Sequence, residues 1–278
     1  MGAESAFQTQ YRQELVATFE EGTSWLRQTT VTEAVIKGNQ ATFLVAGSGD
    51  ATAVTRGING LIPARADDMT QLSAVLTEWQ DLVRKTRFNI FASQGDQRAL
   101  MQSTTKKVLN RRIDQDIIDQ FDTATTNTGA AQTGSLALVQ KAKTTLGENE
   151  VEIEDEANMW AVVSDAFMGY IEQIPEFSSK DYVMTQPLAG PARRTLRWAG
   201  FNWIRHHRLT GKGTASEKCY FFHRDALGSA FDQGEGLNTA VGYNDEQDYS
   251  YARASSFTGA KLLQQEGIVQ VLHDASAI

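Results

Sequence analysis

Residues 243–271 read YNDEQDYSYARASSFTGAKLLQQEGIVQV, and the fold is decided by how this stretch is parsed. Tyr, Phe, Ser, Thr and Val dominate two runs, and a charged cluster, Asp245-Glu246-Gln247-Asp248, interrupts the chain ahead of the first. Such runs, bounded by turn residues, predict strands at Leu237–Tyr243, Tyr249–Leu263 and Ile268–His273, with Gly267 as the turn between the last two.

Working back towards the N-terminus, residues 135–235 predict mixed elements. A helix is expected over 135–146, stopping at Gly147, followed by the acidic connector Glu148–Glu156. A buried strand at Met159–Val163 leads to a short helix capped by Ser164 or Asp165 and running to about Gln173. Strands are expected at Trp198–Arg205 and Lys218–His223, and a short helix from Asp225 to Phe231.

The longest helix is predicted over 94–124. Ser93 and Asp96 form a capping-box-like start, and Met101, Val108, Leu109, Ile113, Ile117 and Phe121 form its stripe. Lys106, Lys107, Arg111 and Arg112 precede Asp114, Asp116, Asp119 and Asp122 along it. That order opposes the helix macrodipole, so these charges serve something other than the isolated helix. The Thr/Asn/Gly-rich segment 123–134 reads as a junction between domains.

Residues 31–90 read as extended: Ala41–Ala46 is a short apolar run ending in Gly47-Ser48-Gly49-Asp50, and Gly57-Ile58-Asn59-Gly60 follows before Pro63. Met69–Ile90 fits a strand through Leu72, Ala74 and Leu76, or a helix through Leu72, Val75, Leu76 and Trp79, and periodicity leaves both open. Near the start, Phe7, Tyr11, Leu15 and Phe19 recur every four residues over 4–21. This stripe is too narrow for a core of its own and suits docking onto another surface.

Composition narrows the function classes. The chain has 278 residues, 41% of them hydrophobic, enough to bury a sizeable core. No apolar run approaches the ~18 residues of a membrane span, and the N-terminus lacks the basic-then-apolar pattern of a signal peptide. A single cysteine, Cys219, excludes an internal disulfide, and together these predict a chain that stays in a reducing cytoplasm. The net charge of −8 disfavours a general nucleic-acid coat. Residues 193–224 nevertheless carry 8 basic and 1 acidic side chains, between acidic segments 130–192 (3 basic, 10 acidic) and 225–278 (2 basic, 8 acidic). The strip Arg193, Arg194, Arg197, Arg205, Arg208 and Lys212 is expected to face an acidic patch on a neighbouring copy.

Candidate chemistry fails residue by residue. Ala46–Thr52 has a threonine where the third dinucleotide-binding glycine belongs, and no helix pattern follows. Cys219, His206, His207 and His223 match no zinc spacing, and an aromatic, Phe221, separates two of them on one strand face. A nucleophile system of Cys219, His223 and Asp225 would lie within seven residues, unlike triads assembled from separate segments. The Glu148–Glu156 run lacks the alternation and glycine of a calcium loop. No catalytic, cofactor or metal residue is assigned, which points to a structural or assembly role.

The quoted stretch, with Arg205-His-His-Arg-Leu and Glu217-Lys-Cys-Tyr-Phe-Phe-His-Arg-Asp-Ala-Leu-Gly-Ser-Ala before it, resembles the closing half of tailed-bacteriophage major capsid proteins of HK97-like fold. The likeness is to the short form without an N-terminal scaffolding domain. As an order of elements it covers nearly the whole chain. As local sequence it covers about 195–272.

The resemblance implies an α+β fold with an N-terminal arm (1–30), an extended β-hairpin loop or E-loop (31–90), a peripheral-domain spine helix (91–128), an axial domain (129–235) and peripheral-domain closing strands (236–278). It resolves Met69–Ile90 as strands and gives the Phe7, Tyr11, Leu15 and Phe19 stripe a neighbouring subunit as partner. It implies a non-enzymatic, cofactor-free virion protein. Such a protein assembles in the host bacterial cytoplasm as hexamers and pentamers and encloses double-stranded DNA without sequence-specific binding. A portal is expected, with scaffolding or decoration proteins as further partners. Lysine cross-linking of the kind some relatives use has no assignable acceptor for Lys37. Two other readings are an encapsulin-like compartment and a cytoplasmic thiol- or metal-dependent enzyme built on Cys219 and the histidines.

Overall fold

The computed structural model describes residues 22–32, 35–47, 51–60, 62, 64, 68–92, 96–178, 195–231 and 237–276. The chain divides into two compact units: residues 1–24, 78–113 and 232–257 form one, and 25–77, 114–231 and 258–278 the other. The elements in order are β1 (Val35–Lys37), β2 (Gln40–Gly47), β3 (Asp68–Val75), β4 (Thr77–Thr86), α1 (Arg87–Ala92), α2 (Gln97–Phe121), α3 (Leu136–Glu148), β5 (Met159–Val163), α4 (Asp165–Ile171), α5 (Pro175–Ser178), β6 (Thr195–Trp198), β7 (Phe201–Arg205), β8 (Glu217–His223), β9 (Leu227–Phe231), β10 (Asn238–Asn244), β11 (Tyr249–Leu262) and β12 (Ile268–His273).

In the first unit β10, β11 and β4 form a sheet on which the N-terminal half of α2 packs. Alternation sends Trp79 and Lys85 of β4, Ser250 of β11 and Thr239 of β10 towards the helix. The Arg112 guanidinium lies 4.0 Å over the Trp79 ring, and Lys85 Nζ donates to Gln97 Oε1 at 2.6 Å. Arg98 donates to Ser250 Oγ at 3.3 Å, and Met101 and Leu109 are buried beneath.

The second unit holds a five-stranded sheet in the order β12-β8-β5-β7-β6, antiparallel except for the β5–β7 pair. Both faces of β8 are covered, so it reads as a continuous apolar run rather than an alternation. Tyr220 and Phe222 meet Phe121 at 5.0 and 4.6 Å between ring centroids. On the opposite face Phe221 meets Phe201 and Trp203 at 5.1 and 5.4 Å. A three-stranded meander, β1-β2-β3, carries the long connection 48–67 at its far end, where Gly47 pairs with Asp68.

Two glycines fix how that meander is rooted. A Cβ on Gly228 of β9 would lie 2.6 Å from the Phe43 ring of β2, and one on Gly259 of β11 would lie 2.7 Å from the Val75 carbonyl of β3. Phe43, Ala41, Ala74 and Ala230 then close a small core there. The Gly-Ala pair of the opening stretch thus serves close backbone approach.

Most predicted elements are present, and Met69–Ile90 is strand up to Thr86. Six details differ. Residues 87–90 belong to α1. Asp225–Phe231 is a 3-10 turn and then β9, because β9 pairs with β11 from Phe231↔Thr258 to Leu227↔Leu262 and is wholly buried. Trp198–Arg205 is two strands, β6 and β7, folded at Ala199-Gly200, both of which have positive φ. Helix α3 passes through Gly147 and ends at Asn149, whose N–H bonds the last turn's carbonyls. Asp96 caps α2, its Oδ1 accepting the N–H of Arg98 and of Ala99 at 3.1 Å, while Ser93 lies outside the described residues. Val108, placed in the α2 stripe, is also exposed. No helix among the described residues is long and apolar enough to cross a membrane.

Candidate assembly surfaces

Three of the carboxylates that ran against the α2 macrodipole, Asp114, Asp116 and Asp122, have partners beyond that helix, whereas Asp119 accepts from Gln115 within it. Asp114 is buried, and its carboxylate accepts the backbone N–H groups of Trp25 and Leu26 at 3.4 Å. His206 Nε2 lies 3.5 Å from the same carboxylate. Because His206 Nδ1 accepts the Arg208 N–H at 3.3 Å, Nε2 is the nitrogen that carries the proton towards Asp114. Asp116 accepts from Thr258 Oγ1 at 2.6 Å. Asp122 accepts from Thr210 Oγ1, Lys218 Nζ and Tyr220 Oη at 2.6, 2.8 and 2.8 Å. Burial alone would raise the Asp122 pKa, but the hydrogen bonds from Lys218, Thr210 and Tyr220 outweigh it and hold the carboxyl below its ordinary 3.8.

These contacts tie residues 25–31 and the 206–218 segment to the end of α2. Val31 also exchanges backbone hydrogen bonds with β9, accepting from Ser229 and donating to Leu227. Residues 25–31, which include the last six of the expected arm, are therefore fixed within the second unit.

The thiol, His206 and His273 lie in separate core contacts, whereas His207 is exposed and paired with Asp165 at 2.6 Å. Cys219 is fully buried, which pushes its thiol up to about 12, so a thiolate is disfavoured there. His273 is buried against Glu217 at 3.4 Å, with the Phe167 ring edge-on at 5.1 Å. Desolvation lowers its pKa although Glu217 opposes the shift. Among the described residues no three His, Cys, Asp or Glu side chains gather into a metal-binding group.

The expected contact residues fall into three cases. Phe7, Tyr11, Leu15 and Phe19, and Arg193 and Arg194, lie outside the described residues. Arg205 pairs with Glu172, and Arg197 Nε donates to Asn202 Oδ1 at 3.0 Å, so both are held within the chain. Arg208 and Lys212 are exposed in the turn before β8. The acidic connector presents Glu148, Glu150, Glu152, Glu154 and Glu156 to solvent. A cleft of about 150 Å³ brings one end of that connector, Glu156, beside Arg197, Trp198 and Asn202.

The sequence reading missed the apolar surface. Leu44, Val54, Ile58, Ile62, Met69 and Val75 are exposed along the β2–β3 hairpin, and Phe88 and Phe91 are exposed on α1. Large side chains left out of any core in this number mark surfaces that another molecule covers. The signal was present for the hairpin, whose apolar residues sit between glycines. It was absent for α1, because Phe88-Asn-Ile-Phe91 continues the pattern read as a strand.

The described residues form a two-unit α+β chain with a buried aromatic sheet, a long helix and a hairpin whose apolar side chains are exposed. Solved structures share this fold. A solved chain from Mycobacterium phage Che8 superposes with a TM-score of 0.73 at 16% identity, covering 94% of this chain and 95% of that one. The Cyanophage Pam1 capsid does so at 0.73 and 11% identity, covering 100% and 99%. The capsid of a native GTA particle gives 0.71 and 15% identity, covering 98% and 97%. No curated protein sequence matches the chain. The phage capsid protein family model matches residues 3–275, and the chain belongs to that family. It is a major capsid protein of HK97-like fold, a virion component whose copies associate into the phage head shell.

Proposed function

We propose that the shell is icosahedral, built of hexamers and pentamers, and encloses double-stranded DNA without reading its sequence. Assembly takes place in the host bacterial cytoplasm, with a portal at one vertex. Residues 1–30 act as the arm, 31–90 as the extended loop over a neighbouring copy, 91–128 as the spine of the peripheral domain, 129–235 as the axial domain, and 236–278 as the closing strands. The observation that supports this reading is the apolar surface of the β2–β3 hairpin and its connection, where six large side chains are exposed among the described residues. Contacts of this kind are weak singly and accumulate through repetition.

The basic strip is read as a contact between copies. Arg208 and Lys212 are solvent-facing, and the acidic connector of another copy offers exposed carboxylates in number. Reversing Arg208 and Lys212 to Glu together should leave a folded subunit but cut the yield of closed shells at least tenfold, with the wild-type contact weakening as salt rises. Sedimentation of the assembled fraction measures this. Normal empty shells with a specific loss of packaged DNA would instead place the strip on the lumen.

A further inference from the structure

Asn59-Gly60 is the single Asn-Gly pair of the chain; the other nine of its ten asparagines are followed by residues with a side chain. The pair lies in the connection between β2 and β3, where residues 51–60 are all exposed. A turn is closed there by the Gly60 N–H, which donates to the Gly57 carbonyl at 2.9 Å, and Gly60 has a φ of 74°. A Cβ added at Gly60 would meet no atom within 4 Å, so the space beside that residue is open. The side-chain amides of Asn110, Asn149, Asn158 and Asn202 are tied to carbonyl or carboxylate oxygens. Among the described residues no such bond holds that of Asn59.

These are the conditions for a reaction that needs no catalyst. The amide nitrogen that follows an asparagine can attack the side-chain carbonyl carbon, and glycine in that place removes the Cβ that would block the approach. Hydroxide takes the Gly60 N–H proton, the Gly60 nitrogen bonds to Asn59 Cγ, and the C–N bond of the side-chain amide breaks. The departing nitrogen takes a proton from water and leaves as ammonia. Water then opens the five-membered imide at either carbonyl, giving aspartate or isoaspartate at position 59. The net change is one water consumed and one ammonia released. The hydrogen bond to the Gly57 carbonyl must open first, and in an exposed turn water competes for both of its ends.

We infer that Asn59 is a site of spontaneous modification, and that its conversion removes an unassembled copy from the pool able to build shells. Isoaspartate inserts an extra methylene into the backbone of the 57–60 turn, and either product places a carboxylate next to Ile58, which is fully exposed. The connection 48–68 already carries Asp50, Asp67 and Asp68 against Arg56 and Arg65, a net charge of −1 that conversion makes −2. The loss of assembly rests on the hairpin contacting a neighbour, as read above, whereas the chemistry at Asn59 does not.

The test uses full-length protein held in mildly alkaline buffer at a concentration too low for shells, sampled over time and digested with trypsin. The fragment 57–65, released at Arg56 and Arg65, should gain about one mass unit as the amide NH2 is replaced by OH. It should do so at least ~10-fold faster than the fragment bearing Asn244, which is followed by aspartate. The aged samples are then concentrated, and the assembled fraction should fall in step with the modified one, each preparation being compared with itself when fresh. Asn59→Gln, which could close only a six-membered imide, should keep both its mass and its assembly.

An unchanged mass for 57–65, or shells that take up the modified fragment in its proportion in the aged pool, overturns the inference. So does an equal loss of assembly in aged Asn59→Gln. If the hairpin does not contact a neighbour at all, shortening it leaves assembly intact. If it does and only the modification is without effect, shortening abolishes shells while modified copies still enter them.

Discussion

Replacing Asp122 with alanine is expected to destabilise the subunit by about 2–4 kcal/mol, because Lys218 and Tyr220 lose a charged acceptor in a half-buried site. The three donors come from the 210 turn and from β8, so the loss loosens the end of α2 from the sheet it covers. Urea unfolding of the isolated subunit at pH 7 measures the change. The sign with pH follows from the lowered pKa of this carboxyl. Its stabilisation is complete above the ordinary carboxylate value of 3.8 and is lost as pH falls through the lower folded value. Asp122→Asn should therefore remove part of the acid sensitivity of the wild type. An unchanged midpoint for Asp122→Ala at pH 7 would contradict the role given to this residue.

A larger effect, on assembly rather than folding, is expected from removing the hairpin's outer part. Gly47 and Asp68 are paired residues, so Asn-Gly can replace 48–67 as a two-residue hairpin turn without disturbing the register below. The small core of Ala41, Phe43, Ala74 and Ala230 lies on the retained side of the cut. Subunit stability should change by no more than about 0.5 kcal/mol, as for surface changes generally. Shell formation should be lost. Normal shells from this variant would remove the hairpin from the assembly contacts.

The residues that could be read from sequence share a physical property: their local pattern and their tertiary fate agree. Strand β11 alternates because one face of its first half covers α2, and β5 is a continuous apolar run because both its faces are buried. Element identity failed where a distant contact overrode the local pattern. Asp225–Phe231 has helical spacing, yet Gly228 must pass under the Phe43 ring and pair with β11, so it is extended. The β6–β7 turn went unseen because Ala199, not a glycine, takes the first left-handed position, with Lys143 Nζ donating to its carbonyl at 3.1 Å.

For the surfaces, the sequence showed charge but not pairing. The inverted charges of α2 announced partners outside the helix, and Asp114, Asp116 and Asp122 have them. The basic strip looked uniform, whereas Arg205 is matched by Glu172 inside the chain and Arg208 and Lys212 face solvent. Nothing in the local pattern could separate those cases, since Glu172 and Arg205 are brought together only by the sheet.

One property stands above the others: copies of this chain close into a shell. Electron microscopy of the full-length protein, purified after expression at high concentration and imaged with and without its phage partners, measures it directly. Closed particles of uniform diameter, whose surface resolves into rings of six and five subunits, are the expected result. Each ring should show the β2–β3 hairpin lying over the adjacent copy. Uniformly small, monodisperse particles under every condition, or shells in which each hairpin folds back on its own subunit, would contradict it.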